Sequence, residues 1–513
     1  MLSLDNLALS GANGNVWSVA RGSFNGYRPQ GYAGFLNDAQ KDRLERIRQA
    51  RMLFNGQHRE YYLIEQRTAF DFPYVKVLGI NQRMYLTYNV LGLISIKSAD
   101  LLFGQSPLFD CDDESQFEAI HDYARRTQLH ATLLDASISG SYEGSAYIES
   151  CIHTDGEVYT RQVPGDTIFP IGEVQPDGQY ESYVRYGVRN AGTNSAPIWL
   201  LLETTISPGK ITRECWQLNK DGQKSKRLTL SQFDPALEGK DTTLTGIEQN
   251  TVVWVPNLLG REISDYDCAL ELQDSLNSAN TQIARVLMKH SDPKLAIPGG
   301  GNMADPQGNV PALAELLFPN SVDEIPRYIT WDANLANAIM NRADTLNNLL
   351  VRTETSPVLL GIDRGAAPQA FKSLRLQSFN SLTKAARRSI IWTSAVQRIL
   401  DVAMALENTL PGVSYPRDPV GVTLRDGIPV DESEQAQTIS TLRTAGVMSV
   451  RRAVRIQLGD EEATDAEVSE IESDAARGAP SITYEEHGER DVNHRGTEAP
   501  PSTEMHRDGD DDE

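Results

Sequence analysis

The stretch from Asp332 to Arg352, DANLANAIMNRADTLNNLLVR, decides the fold, because two stripes run along it at the three- and four-residue spacing of an α-helix. One stripe is apolar; the other, of four asparagines and one aspartate, lies about 200° away around the helix. Asparagine costs a helix interior roughly 0.5 kcal/mol relative to alanine. One explanation of the polar stripe is a nearly uncharged surface over which a polyanion moves without being held; an ordinary solvated face is the interpretation that this helix alone favours. The apolar stripe is Ala336, Ile339, Ala343, Leu346 and Leu350, and the polar stripe is Asn334, Asn337, Asn341, Asp344 and Asn348.

A second long helix is predicted upstream, over residues 264–290. Its apolar residues form a narrow seam, as in a helical bundle, and polar residues such as Asp274, Ser278 and Thr281 lie near the opposite face. Residues 291–331, between the two helices, contain six prolines and three consecutive glycines. A helix, an irregular segment and a second helix follow one another here, and this order predicts a helical hairpin with a long irregular connection at its tip. The seam is Ala269, Leu272, Leu276, Ala279, Ile283 and Val286.

The rest of the chain combines further helices with short strands. Asp-Gly and Pro-Asp-Gly turns separate alternating or apolar runs in the middle third, which predicts a meander of antiparallel strands. The fold class is therefore α+β and predominantly helical. Residues 1–35 are expected to form an N-terminal arm, and the acidic residues 479–513 a disordered tail. Helices are predicted over 37–55, 90–102, 115–139, 367–408, 432–445, 449–457 and 464–476, and strands over 146–152, 158–163, 180–188, 198–204, 211–218, 251–256 and 420–424.

The charge of the chain indicates that it does not capture nucleic acid. Its 70 acidic and 48 basic residues give a formal net charge of −22. Phosphate neutralisation by lysine and arginine supplies most of the affinity of nucleic-acid binders, so this chain repels a phosphate backbone on average. If DNA is a partner, the composition favours a protein that lets DNA pass through it over a protein that binds DNA tightly.

Two charged clusters have alternative interpretations. The basic residues of the first helix, Lys41, Arg43, Arg46, Arg48 and Arg51, form either a solvated face or a contact with the acidic surface of a neighbouring subunit. The acidic run Asp110, Asp112, Asp113 and Glu114 could serve a metal-dependent hydrolase, but it lacks the alternate ligands and glycine of a calcium loop. A solvated loop is the interpretation that its spacing favours.

The sequence offers no recognisable catalytic machinery. It contains no P-loop, no GxSxG and no HExxH motif, and its eight histidines show no metal-ligand spacing. The four cysteines are widely separated, which favours a reducing compartment, and Cys151 is expected to be a buried strand thiol. We expect no enzyme activity, no cofactor and no metal, no signal peptide, and no apolar stretch of membrane-spanning length. Synthesis in the cytoplasm follows from these expectations.

Several local segments, in this order, resemble the portal proteins of tailed double-stranded-DNA bacteriophages, specifically the siphophage type. The resemblance covers about residues 35 to 475, and the order and spacing of the segments carry it. The segment Gly365–Lys372 occupies the place of that family's Ser-Gly-containing lead into its long helix, although the Ser-Gly pair is absent here. The other segments are Tyr85–Asn89, Leu101–Pro107, Ile138–Tyr147, Val163–Pro170 and Leu272–Asn277.

The resemblance implies a division of the chain into the parts of a portal subunit. Residues 36–263 would be the wing, helical and then β-rich, and 264–290 and 332–352 the stem helices. Residues 291–331 would be the clip, with Lys294, Asn302 and Asp305 as candidate docking residues. Residues 353–366 would be the tunnel loop facing DNA, with Glu354, Asp363 and Arg364. A long kinked helix and its return to the wing would occupy 367–430, and a helical crown 431–478.

The same resemblance implies a structural conduit in the virion, at the capsid vertex. Such subunits form rings, typically of twelve, through which double-stranded DNA is packaged and ejected, with no membrane partner. Expected partners are the terminase large subunit, a head-tail adaptor, and the major capsid and scaffold proteins. The polar stripe would line the DNA channel. Another virion head protein, or a metal-dependent cytoplasmic hydrolase that uses the carboxylates of Asp110–Glu114, remains as an alternative; a metal-dependent activity that is lost on Asp112→Ala would support the hydrolase.

Overall fold

The computed structural model describes most of the chain and divides it into two compact units, Met1–Pro429 and Val430–Glu513. The predicted disordered tail, most of the predicted arm and most of the excursion at 291–331 lie outside the described residues. The described ranges are 16–18, 34–64, 67–68, 74–77, 80–153, 156–193, 197–290, 294–296, 327–329, 335–362, 371–427, 432–458 and 461–476.

The first helix of the chain, α1 (Asp38–Phe54), begins where the sequence supplies a cap. The Asn37 side chain accepts a hydrogen bond from the Gln40 amide, and Gln40 returns one to the Asn37 amide, at 2.8 and 3.1 Å. This reciprocal capping box satisfies two amides that the first turn leaves free. The helices are α1 (Asp38–Phe54), α2 (Val90–Phe103), α3 (Glu114–Arg126), α4 (Leu129–Glu143), α5 (Leu230–Phe233), α6 (Leu270–His290), α7 (Leu335–Arg352), α8 (Phe371–Gln377) and α9 (Phe379–Glu407). Short turns at Glu60–Ile64, Pro235–Leu237 and Pro357–Leu360 are π- or 3₁₀-helical.

The second unit contains α10 (Glu432–Thr444), α11 (Val450–Leu458) and α12 (Glu461–Ala476). Their bounds lie within three residues of the predicted helices at 432–445, 449–457 and 464–476. The sequence therefore predicted the helical character of this unit correctly.

The strands pair antiparallel throughout the described residues, as the predicted meander requires. One sheet has the path β1-β8-β9-β10-β11, with β7 also on β8 and β12 on β10, and a second sheet has the order β13-β5-β6. The strands are β1 (Val16–Ser18), β2 (Tyr74–Val77), β3 (Ile80–Arg83), β4 (Leu108–Asp110), β5 (Ser145–Ile152), β6 (Val158–Val163), β7 (Ile168–Val174), β8 (Tyr180–Asn190), β9 (Trp199–Ser207), β10 (Lys210–Leu218), β11 (Lys224–Leu228), β12 (Thr242–Leu244), β13 (Val252–Pro256), β14 (Lys294–Ala296), β15 (Arg327–Ile329) and β16 (Gly421–Thr423).

Two long predicted helices are each interrupted. The stretch predicted as one helix over 115–139 is α3 and α4, separated where Gln128 adopts a left-handed φ of 51°. The stretch predicted over 367–408 is α8 and α9, which meet at Ser378. Strands β7 and β11 were not predicted, because Gly172 and Pro170 interrupt the first and three of the five residues of the second are basic.

Helix α9 forms the centre of the main core. Trp392, Val396, Ile399 and Leu400 are buried there, among side chains of α2, α4, β5 and β13. By length and composition α9 could cross a membrane, so the expectation that no apolar stretch reaches that length was wrong. Its apolar residues instead serve the core, since 56% of its most apolar 18-residue window is buried within the fold.

A second core lies where α6 and α7 approach the rest of the first unit. Tyr62, Tyr85 and Tyr266 are buried there with Leu276 of α6 and Leu349 of α7. The ends of the two helices nearest this core are therefore fixed by packing, and we call them the root of the hairpin.

Candidate functional site

The hairpin formed by α6 and α7 carries the polar stripe on its surface. Asn337, Asn341, Asp344 and Asn348 are all exposed, and Asn334 lies outside the described residues. The apolar stripe of α7 is buried only at the root: Leu350 is buried and Leu346 half-buried, but Ala336, Ile339 and Ala343 are exposed. Away from its root, α7 is therefore a free surface on nearly every side in the single chain.

Exposed apolar side chains also mark the distal part of the hairpin. Leu287 and Met288 on α6 are 51% and 61% exposed, and Ile339 and Met340 on α7 are 45% and 64% exposed. Clustered exposure of large apolar groups indicates a contact with another molecule.

The polar face of α6 is buried rather than solvated, which corrects the sequence interpretation of this helix as a simple apolar seam. The extended segment Tyr85–Asn89 lies along this face. Thr281 Oγ1 accepts from the Leu86 amide at 2.9 Å, and Asn277 Oδ1 accepts from the Tyr88 amide at 2.8 Å. Gln273 Nε2 donates to the Tyr88 carbonyl at 2.8 Å. In the sequence alone these residues look like a solvated helix face. In the structure their uncharged amide and hydroxyl groups hold an extended segment of the chain against the helix. The buried polar residues are Gln273, Asp274, Asn277, Ser278 and Thr281.

A fully buried histidine joins the same helix to the end of α1. His58 Nε2 faces two acceptors, the Leu53 carbonyl at 3.1 Å and Asn89 Oδ1 at 3.2 Å. The Nδ1 atom of His58 lies 2.9 Å from the Nδ2 atom of Asn277. The Oδ1 atom of the same asparagine already accepts a hydrogen bond from the Tyr88 amide. The contacts therefore require the neutral ring with its proton on Nε2. Burial lowers the pKa of His58 below its ordinary value.

The long helix α9 anchors both ends of the hairpin root. Lys384 Nζ lies 3.0 Å from Asp265 Oδ1, just before α6, and donates to the Thr353 carbonyl, just after α7, at 3.1 Å. Asp265 also accepts from Ser141 Oγ at 2.6 Å. Burial alone would raise the pKa of Asp265, but Lys384 and Arg388 outweigh it and hold that pKa below its ordinary value. The carboxylate is therefore ionised and joins two elements that are more than a hundred residues apart in sequence.

Glu354, a candidate tunnel-loop residue, ends α7 in a strained conformation. Its φ of 54° is left-handed, where glycine or asparagine usually stands after a helix. The Thr355 amide donates a hydrogen bond to the Leu350 carbonyl across this turn, at 2.8 Å. The Glu354 side chain pairs with Arg387, and Ser381 accepts from the Ser356 amide at 2.7 Å. The first residues of the predicted tunnel loop are thus fixed to α9.

Of the remaining candidate residues, only Lys294 lies within the described residues. Asp363 and Arg364 of the tunnel loop, and Asn302 and Asp305 of the clip, lie outside the described residues. The backbone of Lys294 lies in β14, where it pairs with Ile329 of β15.

The basic cluster of α1 divides into two groups: Lys41 and Arg46 are exposed, as the solvated-face interpretation predicts, whereas Arg43 and Arg51 form ion pairs within the chain. Arg43 is buried and donates to Glu262 at 3.0 Å and to the Gly165 carbonyl at 2.6 Å. Arg51 pairs with Glu143 and Asp166 at 2.6 and 2.7 Å. Arg43 and Arg51 thus join α1 to the end of α4 and to the segments that follow β6 and β13, and their charges are satisfied within one chain.

The acidic run after β4 is used for helix capping. Asp113 accepts from the Gln116 amide at 2.9 Å and from Ser115 Oγ at 2.5 Å, and the Ser115 bond is the main reason that the pKa of Asp113 is lowered. Among the residues that the structure describes, no group of three or more His, Cys, Asp or Glu side chains could hold a metal ion. Cys151 is buried on β5, as expected.

Comparison with known proteins assigns the chain to a family. Residues 34–481 match the family described as "Phage portal protein, SPP1 Gp6-like". Among solved structures, the chain is similar to "Neck of empty GTA particle computed with C6 symmetry", with 13% identity, a TM-score of 0.40, and coverage of 72% of this chain and 90% of that chain. It is also similar to "Neck of native GTA particle computed with C12 symmetry", with 12% identity, a TM-score of 0.39, and coverage of 72% and 89%.

No curated protein matches the sequence. The structural similarities are distant, and the family match, which spans most of the sequence, agrees with the order of elements read from the residues. The chain belongs to the SPP1 Gp6-like family of phage portal proteins.

Proposed function

We propose that this chain is one subunit of a closed ring at the capsid vertex, through which double-stranded DNA is packaged and later ejected. Membership of a family of structural portal proteins supports this role. The observation that carries it is the surface of α7: a nearly uncharged polar stripe stands beside exposed apolar residues such as Ile339 and Met340. Neighbouring copies of the hairpin would cover the apolar residues and leave the polar stripe facing the channel.

The chemistry of the polar stripe suits a moving polyanion. Asn337, Asn341 and Asn348 offer hydrogen bonds but no charge, and Asp344 adds a single negative one. Lysine or arginine at these positions would bind phosphates in a salt-dependent way and would act as drag. The net charge of −22 has the same effect over the whole subunit.

The root of the hairpin supplies the rigidity that such a channel needs. Lys384 and Arg387 of α9 hold the two ends of the root and the first residues of the tunnel loop. In this proposal Glu354 is a fixed point of the loop, and Asp363 and Arg364 extend from it toward DNA. Lys294, Asn302 and Asp305 would belong to the clip, which meets the terminase large subunit and later the head-tail adaptor.

The ring also implies partners and a location. Twelve subunits are proposed, by the resemblance to siphophage portals, with heterologous side-to-side interfaces that close. The major capsid and scaffold proteins would surround the ring during assembly, and the finished ring would stay in the virion. Synthesis would take place in the host cytoplasm.

Native mass spectrometry of the purified full-length chain, with end-on electron-microscope images, tests the proposal. We expect a closed ring of about a dozen subunits with a central hole. A dimer or tetramer without a channel, formed also in the presence of scaffold protein, would overturn the proposal.

A further inference from the structure

A large polar cleft lies at one end of the seven-stranded sheet, beside α9. It has a volume of about 820 Å³ and lies between the β7–β8 turn, Pro208, the segment Glu248–Asn250 and the middle of α9. Side-chain amides fix its walls to the backbone. Gln179 Oε1 accepts from the Trp254 amide at 2.7 Å, and Gln397 Nε2 donates to the Val420 carbonyl at 2.9 Å. We call this feature the acidic cleft, for the charges given next.

The carboxylates of the acidic cleft are only partly neutralised. Asp177 pairs with Arg398 at 2.7 Å, and Asp401 pairs with Arg417 at 2.5 Å. The other lining carboxylates, Glu181, Glu248 and Asp418, are exposed and form no ion pair with any residue that the structure describes. The cleft therefore has an excess of three negative charges and attracts a cationic, hydrogen-bond-donating segment.

A basic protrusion lies at the other end of the same sheet, at the β10–β11 turn. The Asn219 side chain accepts from the Asp221 and Gln223 amides at 3.0 and 2.8 Å, and Gly222 takes the positive φ of 74° that the turn requires. Lys220 and Lys226 are exposed and form no ion pair with a described residue, and the exposed Asp221 between them adds one negative charge. We call residues 219–227 the basic knob; the hydrogen bonds of the Asn219 side chain hold this turn, and the backbone of Gly34 lies against it at the Asp221 carbonyl.

The strand β10 fixes the distance between the two features. It runs from Lys210, beside Pro208 of the acidic cleft, to Leu218, beside the basic knob. Nine residues at the rise of a β-strand span about 30 Å. The two features therefore lie at opposite ends of one rigid sheet.

This arrangement meets the geometric requirement of a ring. A closed heterologous ring needs two different, complementary surfaces on separate sides of each subunit. Lysines on an edge strand also discourage unwanted strand pairing, which suffices as an explanation for Lys226. Lys220, however, lies on the turn outside the strand, and the unpaired carboxylates at the far end of the sheet need a different explanation.

We propose that the basic knob of one subunit docks into the acidic cleft of the next subunit around the ring. The inference rests on the proposed ring and names one of its contacts. Docking places Lys220 and Lys226 against Glu181, Glu248 and Asp418, and long-range attraction between the two surfaces orients the subunits as they meet.

Two charge-reversed variants test this contact. One carries Lys220→Glu and Lys226→Glu in the knob, and the other carries Glu181→Lys and Glu248→Lys in the cleft. Each variant alone presents like charges across every interface, so we expect the subunit concentration for half-maximal ring assembly to rise at least roughly tenfold. Mixed in equal amounts, the variants restore attraction at every interface, and we expect rings in which they alternate, with equal numbers of each by native mass spectrometry.

The control variant reverses two charges outside both features, with Glu238→Lys and Asp241→Lys. It should assemble as the wild type does, and unchanged circular dichroism should show that all variants fold. If the wild type forms rings and each reversed variant assembles equally well alone, the knob-and-cleft contact is wrong and the ring proposal stands. If the variants assemble poorly alone and their mixture does not recover, the contact is also wrong. A wild type that forms no ring, also in the presence of scaffold protein, overturns both proposals.

Discussion

Lys384 Nζ lies 3.0 Å from Asp265 Oδ1, and this ion pair joins the long helix α9 to the segment that leads into α6. Both side chains are almost buried, with 12% and 10% of their surface exposed. The same ammonium group donates to the Thr353 carbonyl at the end of α7, so one side chain holds both ends of the hairpin root. The position of the hairpin relative to the main core thus depends on this contact.

Removing one partner of this pair should destabilise the first unit strongly. Asp265→Asn leaves Lys384 and Arg388 buried without a counter-charge, and we expect a loss of about 3 kcal/mol in the free energy of unfolding, measured by urea denaturation. Lys97→Met, in the exposed pair with Asp100, is the control and should cost under about 1 kcal/mol. Equal losses in the two variants would show that Asp265 does not have this anchoring role.

Glu354 offers a test of backbone strain at the start of the proposed tunnel loop. Because its φ of 54° is left-handed, Glu354→Gly should be more stable than Glu354→Ala by about 1 kcal/mol in thermal or urea unfolding. Both variants lose the ion pair with Arg387, so their difference isolates the backbone conformation. An alanine variant as stable as the glycine variant would contradict the left-handed geometry.

His58 should make the stability of the chain depend on pH. Its folded pKa is lowered, so the unfolded chain takes up a proton first, at about pH 6.5. The contribution of His58 is therefore complete above that pH and is lost as the pH falls toward the folded pKa. We expect the free energy of unfolding to fall between pH 7.5 and 5.5 in the wild type and to fall less steeply in His58→Gln. Parallel slopes would exclude His58 as the source.

The polar stripe predicts how substitutions affect DNA movement. Replacing Asn337, Asn341 and Asn348 by lysine should slow DNA packaging by the terminase motor. Added salt should restore the packaging rate, because contacts between lysine and phosphate weaken with salt. Alanine at the same positions should leave the packaging rate near that of the wild type. Asn347→Lys, which is exposed on the same helix but off the stripe, is the matched control. Equal effects of lysine on and off the stripe would contradict the proposed lining.

The sequence predicted the elements whose periodicity is strong. The stripes of Asp332–Arg352 gave the helix that the structure shows from Leu335 to Arg352, and turn chemistry gave most strands of the meander. The interruption at Gln128 was missed, and the kink that the family resemblance implied in the long helix was not assigned to Ser378, because neither glycine nor proline marks these positions.

The environment of individual side chains was harder to predict. Gln273, Asn277 and Thr281 are residue types typical of a solvated helix face, yet they bind the backbone of a segment nearly two hundred residues away. Arg43 and Arg51 likewise find their carboxylate partners far along the chain. Such pairings depend on the tertiary arrangement, and periodicity within one helix cannot show them.

Electron cryo-microscopy of the assembled full-length protein tests the central claim most directly. The measured quantity is the position of the α7 polar stripe relative to the axis of the assembly. We expect a closed ring whose lumen is lined by Asn337, Asn341 and Asn348, with Ile339 and Met340 covered by neighbouring subunits. An assembly without a central channel, or a ring in which the stripe faces outward or is buried between subunits, would contradict the claim.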